Sequence, residues 1–119
     1  MVFEPRGTHY LIDLFDCNAE KLNDESFIEA SLLAAAELAG TQILHFYFHQ
    51  FEPMGITGSV VIAESHINIH TWPEHGYAAV DVFTCGESSF PKVAKNYLEK
   101  CFESCRMVVN ENARGFIKK

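Results

Sequence analysis

The chain breaks into short apolar runs and two longer stretches of helical spacing. Residues 9–15 (HYLIDLF), 43–51, 59–62, 66–72, 77–85 and 106–110 are rich in Val, Ile, Leu, Tyr and Phe and have strand length. After the first run, Ile28, Leu32, Ala35 and Ala39 recur at helical spacing. Asn23 or Asp24 offers that helix its N-cap and Gly40 its stop. PMGITG, residues 53–58, breaks the chain between the second and third strands, and Pro73 and Gly76 separate the fourth from the fifth. A second helix starts at Ser88 or Ser89, with Pro91 in its first turn and Val93, Tyr97 and Cys101 on one face.

The predicted order is therefore β-α-β-β-β-α-β. An α+β two-layer sandwich, an antiparallel or mixed sheet with both helices on one face, buries the apolar stripes of all these elements. The other sheet face then needs cover, because the second and fifth strands are apolar enough to want it. A face-to-face dimer would provide it.

Length and charge narrow the picture further. At 119 residues the chain is expected to be a single domain, residues 1–119, with a core of its own. No apolar run approaches the ~20 residues of a membrane helix, and the N-terminus lacks the layout of a signal peptide. The expectation is a cytoplasmic protein with no membrane contact. A net charge of −7 argues against nucleic acid, since no broad basic face exists to neutralise phosphates. The four cysteines, Cys17, Cys85, Cys101 and Cys105, form no CxxC pair. Cys101 and Cys105, four apart on one expected helix face, are a weak zinc signal, and in a cytosolic chain free thiols are the ordinary state.

The stretch AESHINIHTWPE, residues 63–74, concentrates the candidate chemistry. His66 and His70 are ligand types for a metal, with Cys85 as a third. On a strand, however, residues four apart share a face at ~13 Å, whereas zinc holds its ligands at ~2 Å, so the two histidines cannot share one ion on a straight strand. Ser65 with His70 and a carboxylate could imitate a hydrolase triad, but no GxSxG elbow is present. Cys85 with a histidine could be a thiol nucleophile. Each of these residues also has an ordinary structural use, and together they describe a polar strand face made of His66, Asn68, His70 and Trp72.

The combination is more specific than its parts. GITGSVVIAESHINIHTWPEHGYAAVDVFTCG, residues 55–86, together with the leading YLIDLFDC and HQFEPMG, closely resembles the prokaryotic S-adenosylmethionine decarboxylase proenzymes. The resemblance implies self-cleavage between Glu64 and Ser65, giving a β chain of residues 1–64 and an α chain of residues 65–119. No side chain carries a ketone, and most enzymes that need one borrow a cofactor. The family makes its own. The Ser65 hydroxyl attacks the Glu64 carbonyl, the amide becomes an ester, elimination leaves dehydroalanine, and hydrolysis gives a pyruvoyl group derived from Ser65.

The remaining roles are also implied by the resemblance. His70 assists processing as an acid/base, imidazole being suited to proton transfer near neutrality. Thr57 stands where the family usually has a serine that helps processing; it keeps the hydroxyl and adds a methyl group. In turnover the substrate amine condenses with the ketone, carbon dioxide leaves, and Cys85 matches the proton donor to the resulting carbanion. Phe51, Trp72 and Glu74 match the substrate-binding positions, where aromatic faces can stack on adenine or hold a sulfonium and a carboxylate can bind ribose hydroxyls. The implied activity is decarboxylation of S-adenosylmethionine to the aminopropyl donor for spermidine, by a homodimer of αβ units without a metal. Two alternatives stay open on sequence: the same chemistry on arginine or ornithine, or a non-catalytic paralogue acting as a partner.

Overall fold

The computed structural model describes residues 3–63, 65–85 and 90–118. Strand β2 (Gly7–Phe15) follows a short β1 (Phe3–Glu4) and leads through helix α1 (Ala19–Leu22) into α2 (Glu25–Leu38). Strands β3 (Ile43–Gln50), β4 (Ile56–Ile62), β5 (Ser65–Trp72) and β6 (Tyr77–Cys85) come next, with a single 3₁₀ turn, Pro73–His75, between the last two. Helix α3 (Phe90–Cys101), β7 (Arg106–Arg114) and β8 (Ile117–Lys118) complete the chain.

Six strands form one sheet in the order β3-β4-β5-β6-β2-β7, every neighbour antiparallel. The expected α+β sandwich is present, and the sheet is antiparallel rather than mixed. Strand β2 enters between β6 and β7 and runs against both, so no parallel pair arises. Strands β1 and β8 pair apart from this sheet as a two-stranded ribbon.

Helices α2 and α3 cover the same face. Ile28, Leu32, Ala35 and Ala36 of α2 meet Ile12, Leu14, Ile56, Val60, Ile67, Ile69, Val80 and Val82 of the sheet in one buried cluster. Alternation along each strand puts the next residue of each pair on the opposite, helix-free face. That face carries His9, Asp13, Thr57, Ser59, His66, Asn68, His70, Trp72, Tyr77 and Asp81, with Leu11, Val61, Phe83 and Val108 interspersed, and is therefore mixed.

Several boundaries differ from the pattern-based reading, each for a local reason. Asp24 caps α2, its carboxylate accepting the Phe27 amide at 3.1 Å, while Asn18 caps the short α1. Strand β4 begins at Ile56, inside the stretch read as a breaker, because Gly58 is a strand residue whose missing Cβ makes room for an aromatic ring. A Cβ there would lie 2.1 Å from the Phe48 ring. On α3 the buried stripe is Phe90, Ala94 and Leu98, continued by Phe102, with Tyr97 and Cys101 on its flank. The periodicity was right and its phase was one residue off. The proposed caps Ser88 and Ser89 lie outside the described residues. Helix α3 ends at Cys101, and Glu103 turns with φ +55, so Cys105 is not on the helix face expected to pair it with Cys101. All four cysteines are free thiols. No described helix is long and apolar enough to cross a membrane.

Candidate active site

One end of strands β4 and β5 gathers most of the residues singled out in the sequence. Thr57 and His70 are register partners on the helix-free face, and Thr57 Oγ1 lies 3.0 Å from His70 Nδ1 in a hydrogen bond. The threonine in place of serine thus keeps its hydroxyl within reach of the imidazole. A cavity of about 210 Å³ opens beside this pair, and Phe51, Met54, Thr57, His70, Trp72 and Glu74 line it.

The walls of the cavity are held by polar contacts. The Phe51 amide donates to the Gly55 carbonyl at 2.8 Å, which folds residues 51–55 into a closed turn. Gly55 has φ +104, a conformation that a side chain resists, and its amide donates to Asn23 Oδ1 at 3.0 Å. Asn23, read as a possible helix cap, instead ties this turn to the helical layer, and its carbonyl also accepts from Gln50 Nε2 at 2.9 Å. The buried Thr71 hydroxyl donates to the Leu22 carbonyl at 2.8 Å and accepts the Ile56 amide at 2.9 Å.

Trp72 is held by stacking. Its ring lies 5.3 Å from that of Tyr77, which is 5.3 Å from that of Phe15, and the Arg106 guanidinium caps the ladder 3.9 Å from the Phe15 centroid. Tyr77 also donates its hydroxyl proton to Asp13. Burial first, and that hydrogen bond second, push the Tyr77 phenol up to about 12. Glu74 sits in the 3₁₀ turn after β5, which ends at Gly76 with φ +59.

Ser65 and Cys85 are elsewhere. Ser65 is the first residue of β5, half-buried, opposite Ile62 on β4 and Thr84 on β6. Cys85, exposed at the end of β6, is one residue beyond Thr84 and faces Gly7 across the ladder. Glu64 lies outside the described residues. Five residues separate Ser65 from His70 along β5, about 16 Å at ~3.3 Å per residue, and the odd spacing sends their side chains to opposite faces. Two groups therefore stand at opposite ends of the same strands: Thr57, His70, Phe51, Trp72 and Glu74 at one, Ser65 and Cys85 at the other.

Sequence reasoning missed a further set in the middle of the helix-free face. His9 on β2 and His66 on β5 both donate to the same oxygen of Asp81 on β6, at 2.9 and 3.2 Å. Asn68 Nδ2 lies 3.4 Å from that oxygen, and Ser59 donates to Asn68 Oδ1 at 2.6 Å. The available signal was a charged residue at an alternate position of an otherwise apolar strand, Asp81 in YAAVDVF. His66 and His70 share a face but not a partner, as the strand spacing required.

Fold and site together define a small α+β protein with two separated sets of acid–base and nucleophilic residues flanking one strand. Residues 8–115 match the family model of S-adenosylmethionine decarboxylase, and the chain belongs to that family. Among curated proteins it is 50 % identical over 111 residues to the S-adenosylmethionine decarboxylase proenzyme of Thermodesulfovibrio yellowstonii, covering 93 % of this chain and 82 % of that one. It is 46 % identical over 109 residues to S-adenosylmethionine decarboxylase proenzyme 2 of Halalkalibacterium halodurans, covering 92 % and 86 %. Its fold superposes on the crystal structure of the adenosylmethionine decarboxylase of Aquifex aeolicus with a TM-score of 0.90 at 36 % identity, over 98 % of this chain and 96 % of that one.

Proposed function

We propose that this chain is a self-processing decarboxylase of S-adenosylmethionine that cuts itself between Glu64 and Ser65 and acts as a homodimer of αβ units. The observation that carries the dimer is the separation of Ser65 from His70. If His70 and Thr57 assist at Ser65, they do so at a second copy's Ser65, because a single straight strand holds them about 16 Å apart. An isologous pair of chains that sets the start of β5 in one copy beside the His70 end of the other supplies that meeting twice.

Ser65 suits cleavage by its place in the fold. It is the first residue of β5, and the hairpin it closes is held by the ladder from Thr57↔His70 to Ile62↔Ser65. Cutting the turn leaves that ladder intact. Strand β2 of the β chain also pairs with β6 and β7 of the α chain, so the two products stay interlocked.

Ser65 would be the source of a pyruvoyl group, which would supply a ketone for the substrate amine and an acceptor for the electrons of the breaking carbon–carboxylate bond. The residues present fit it: the exposed thiol of Cys85 stands next to Thr84, the cross-strand partner of Ser65. Cys85 delivers the proton that replaces the lost carboxylate. His70, fixed by Thr57 through the 3.0 Å hydrogen bond, moves the proton of the Ser65 hydroxyl during processing. Phe51 and Trp72 offer flat apolar faces to adenine, and Glu74 accepts hydrogen bonds from the ribose hydroxyls. The Trp72–Tyr77–Phe15 ladder holds the indole in its plane before substrate arrives.

A denaturing intact-mass spectrum of the purified protein tests the reading. Two chains meeting at Glu64/Ser65, the second with a blocked N-terminus, are expected. A single 119-residue chain that persists on long incubation would overturn it.

A further inference from the structure

We infer that His9, His66 and Asp81 form a divalent transition-metal site, with zinc as the ion whose chemistry fits best. Nε2 of each histidine and one carboxylate oxygen of Asp81 lie within 4.8 Å of one another. The two N···O separations, 2.9 and 3.2 Å, are already the ligand–ligand edges of a coordination shell. Ligands at ~2.0–2.2 Å from a zinc ion are spaced ~2.8–3.6 Å apart in octahedral or tetrahedral geometry. To bind an ion the two imidazoles must close on each other and carry their protons on Nδ1, which frees each Nε2 lone pair.

The register explains why three separate strands deliver these groups to one point. His9 and His66 both pair with Phe83, from either side of β6, and Asp81 is the next residue along β6 on the same face. The Phe83 ring packs against both imidazoles, 5.9 Å from one and 6.1 Å from the other, and the imidazoles lie 6.1 Å from each other. Side-chain exposures of 25 %, 35 % and 25 % leave the trio open to an entering ion and to the water that would complete its shell. A supporting shell is in place as well, since Asn68 reaches Asp81 and is itself anchored by Ser59. Two neutral imidazoles and one carboxylate select zinc, cobalt or nickel over magnesium or calcium.

The expectation of no metal rested on the ~13 Å between His66 and His70 and on the family resemblance. That distance does not bear on this trio, where His66 finds its partners on β2 and β6. If the chain is cut at Glu64–Ser65, as proposed above, His9 belongs to the β chain and His66 and Asp81 to the α chain. The ion would then bridge the two products immediately behind the new chain end.

The test is chelator-competition titration of metal-free protein with zinc chloride, on wild type, His9→Ala, Asp81→Asn, an exposed-histidine control His49→Ala, and Ser65→Ala. One zinc per chain is expected in wild type and control, with at least about tenfold weaker binding in His9→Ala and Asp81→Asn. Ser65→Ala remains uncut and still binds if the site is real, so a failure of the cleavage reading does not mimic a failure here. Equal affinity in wild type and both ligand variants, or no binding at micromolar zinc, would overturn the site. X-ray absorption at the zinc edge of wild-type protein avoids any folding defect of the variants. Two imidazoles with oxygen ligands support the assignment, and sulfur ligation places the ion on a thiol and refutes it.

Discussion

Two inactive variants of this protein are expected to repair each other. Ser65→Ala removes the source of the pyruvoyl group, and His70→Ala removes the residue assigned to its formation. Within one chain these positions are about 16 Å apart on opposite faces of β5, so each complete site needs Ser65 from one chain and His70 from the other. Co-expressed with different tags, the variants pair at random and half of the dimers are mixed. Each mixed dimer holds one site with both residues intact and one site lacking both. Half of the dimers times half of their sites predicts about one quarter of wild-type activity per chain for an isologous dimer. The assay is release of carbon dioxide from carboxyl-labelled S-adenosylmethionine, with mass spectrometry to show that only the His70→Ala chain is cut. If mixed dimers are recovered through both tags and activity stays at the sum of the parents, the two half-sites do not meet across a dimer.

Three further perturbations test the packing behind the site. Thr71→Val strands the Ile56 amide and the Leu22 carbonyl in the interior, and its expected cost is about 2–6 kcal/mol by urea denaturation, from ~1–3 kcal/mol per orphaned group. A loss under about 1 kcal/mol would mean that water replaces the hydroxyl. Gly58→Ala drives a methyl group into the Phe48 ring and is expected to destabilise by about 2 kcal/mol, with partial recovery on adding Phe48→Leu. Additivity of the two changes would refute the assigned clash. Tyr77 has a folded-state pKa near 12, above the ~10 of an unfolded chain, so its contribution is complete below pH ~10 and is lost as pH rises toward 12. Urea midpoints should fall more steeply over that range in wild type than in Tyr77→Phe, and parallel slopes would contradict the assignment.

Much of the fold was legible because it follows from local rules. The apolar runs mark six strands, Asp24 caps α2, and Gly40 ends it with φ +74. Errors of boundary came where a distant residue decided. Gly58 reads as a break until the Phe48 ring is placed opposite it, and the phase of α3 depends on which face meets the sheet. The same division holds at the site. His70 and Thr57 could be named from ESHINIH and GITG, and alternation alone showed that Ser65 and His70 point to opposite faces. That Thr57 sits directly across from His70 depends on the β4–β5 register.

By itself the sequence determined the order of elements, the polar face of β5 and the residue types at both half-sites, since these are properties of neighbours along one chain. Only the tertiary structure decided that Ser65 and Cys85 stand at one end and His70 at the other. It alone brought His9 and Asp81, 72 residues apart, within 2.9 Å. Cross-strand contacts follow from strand order and register, which are set by the whole sheet packing against its helices, and no local pattern encodes them.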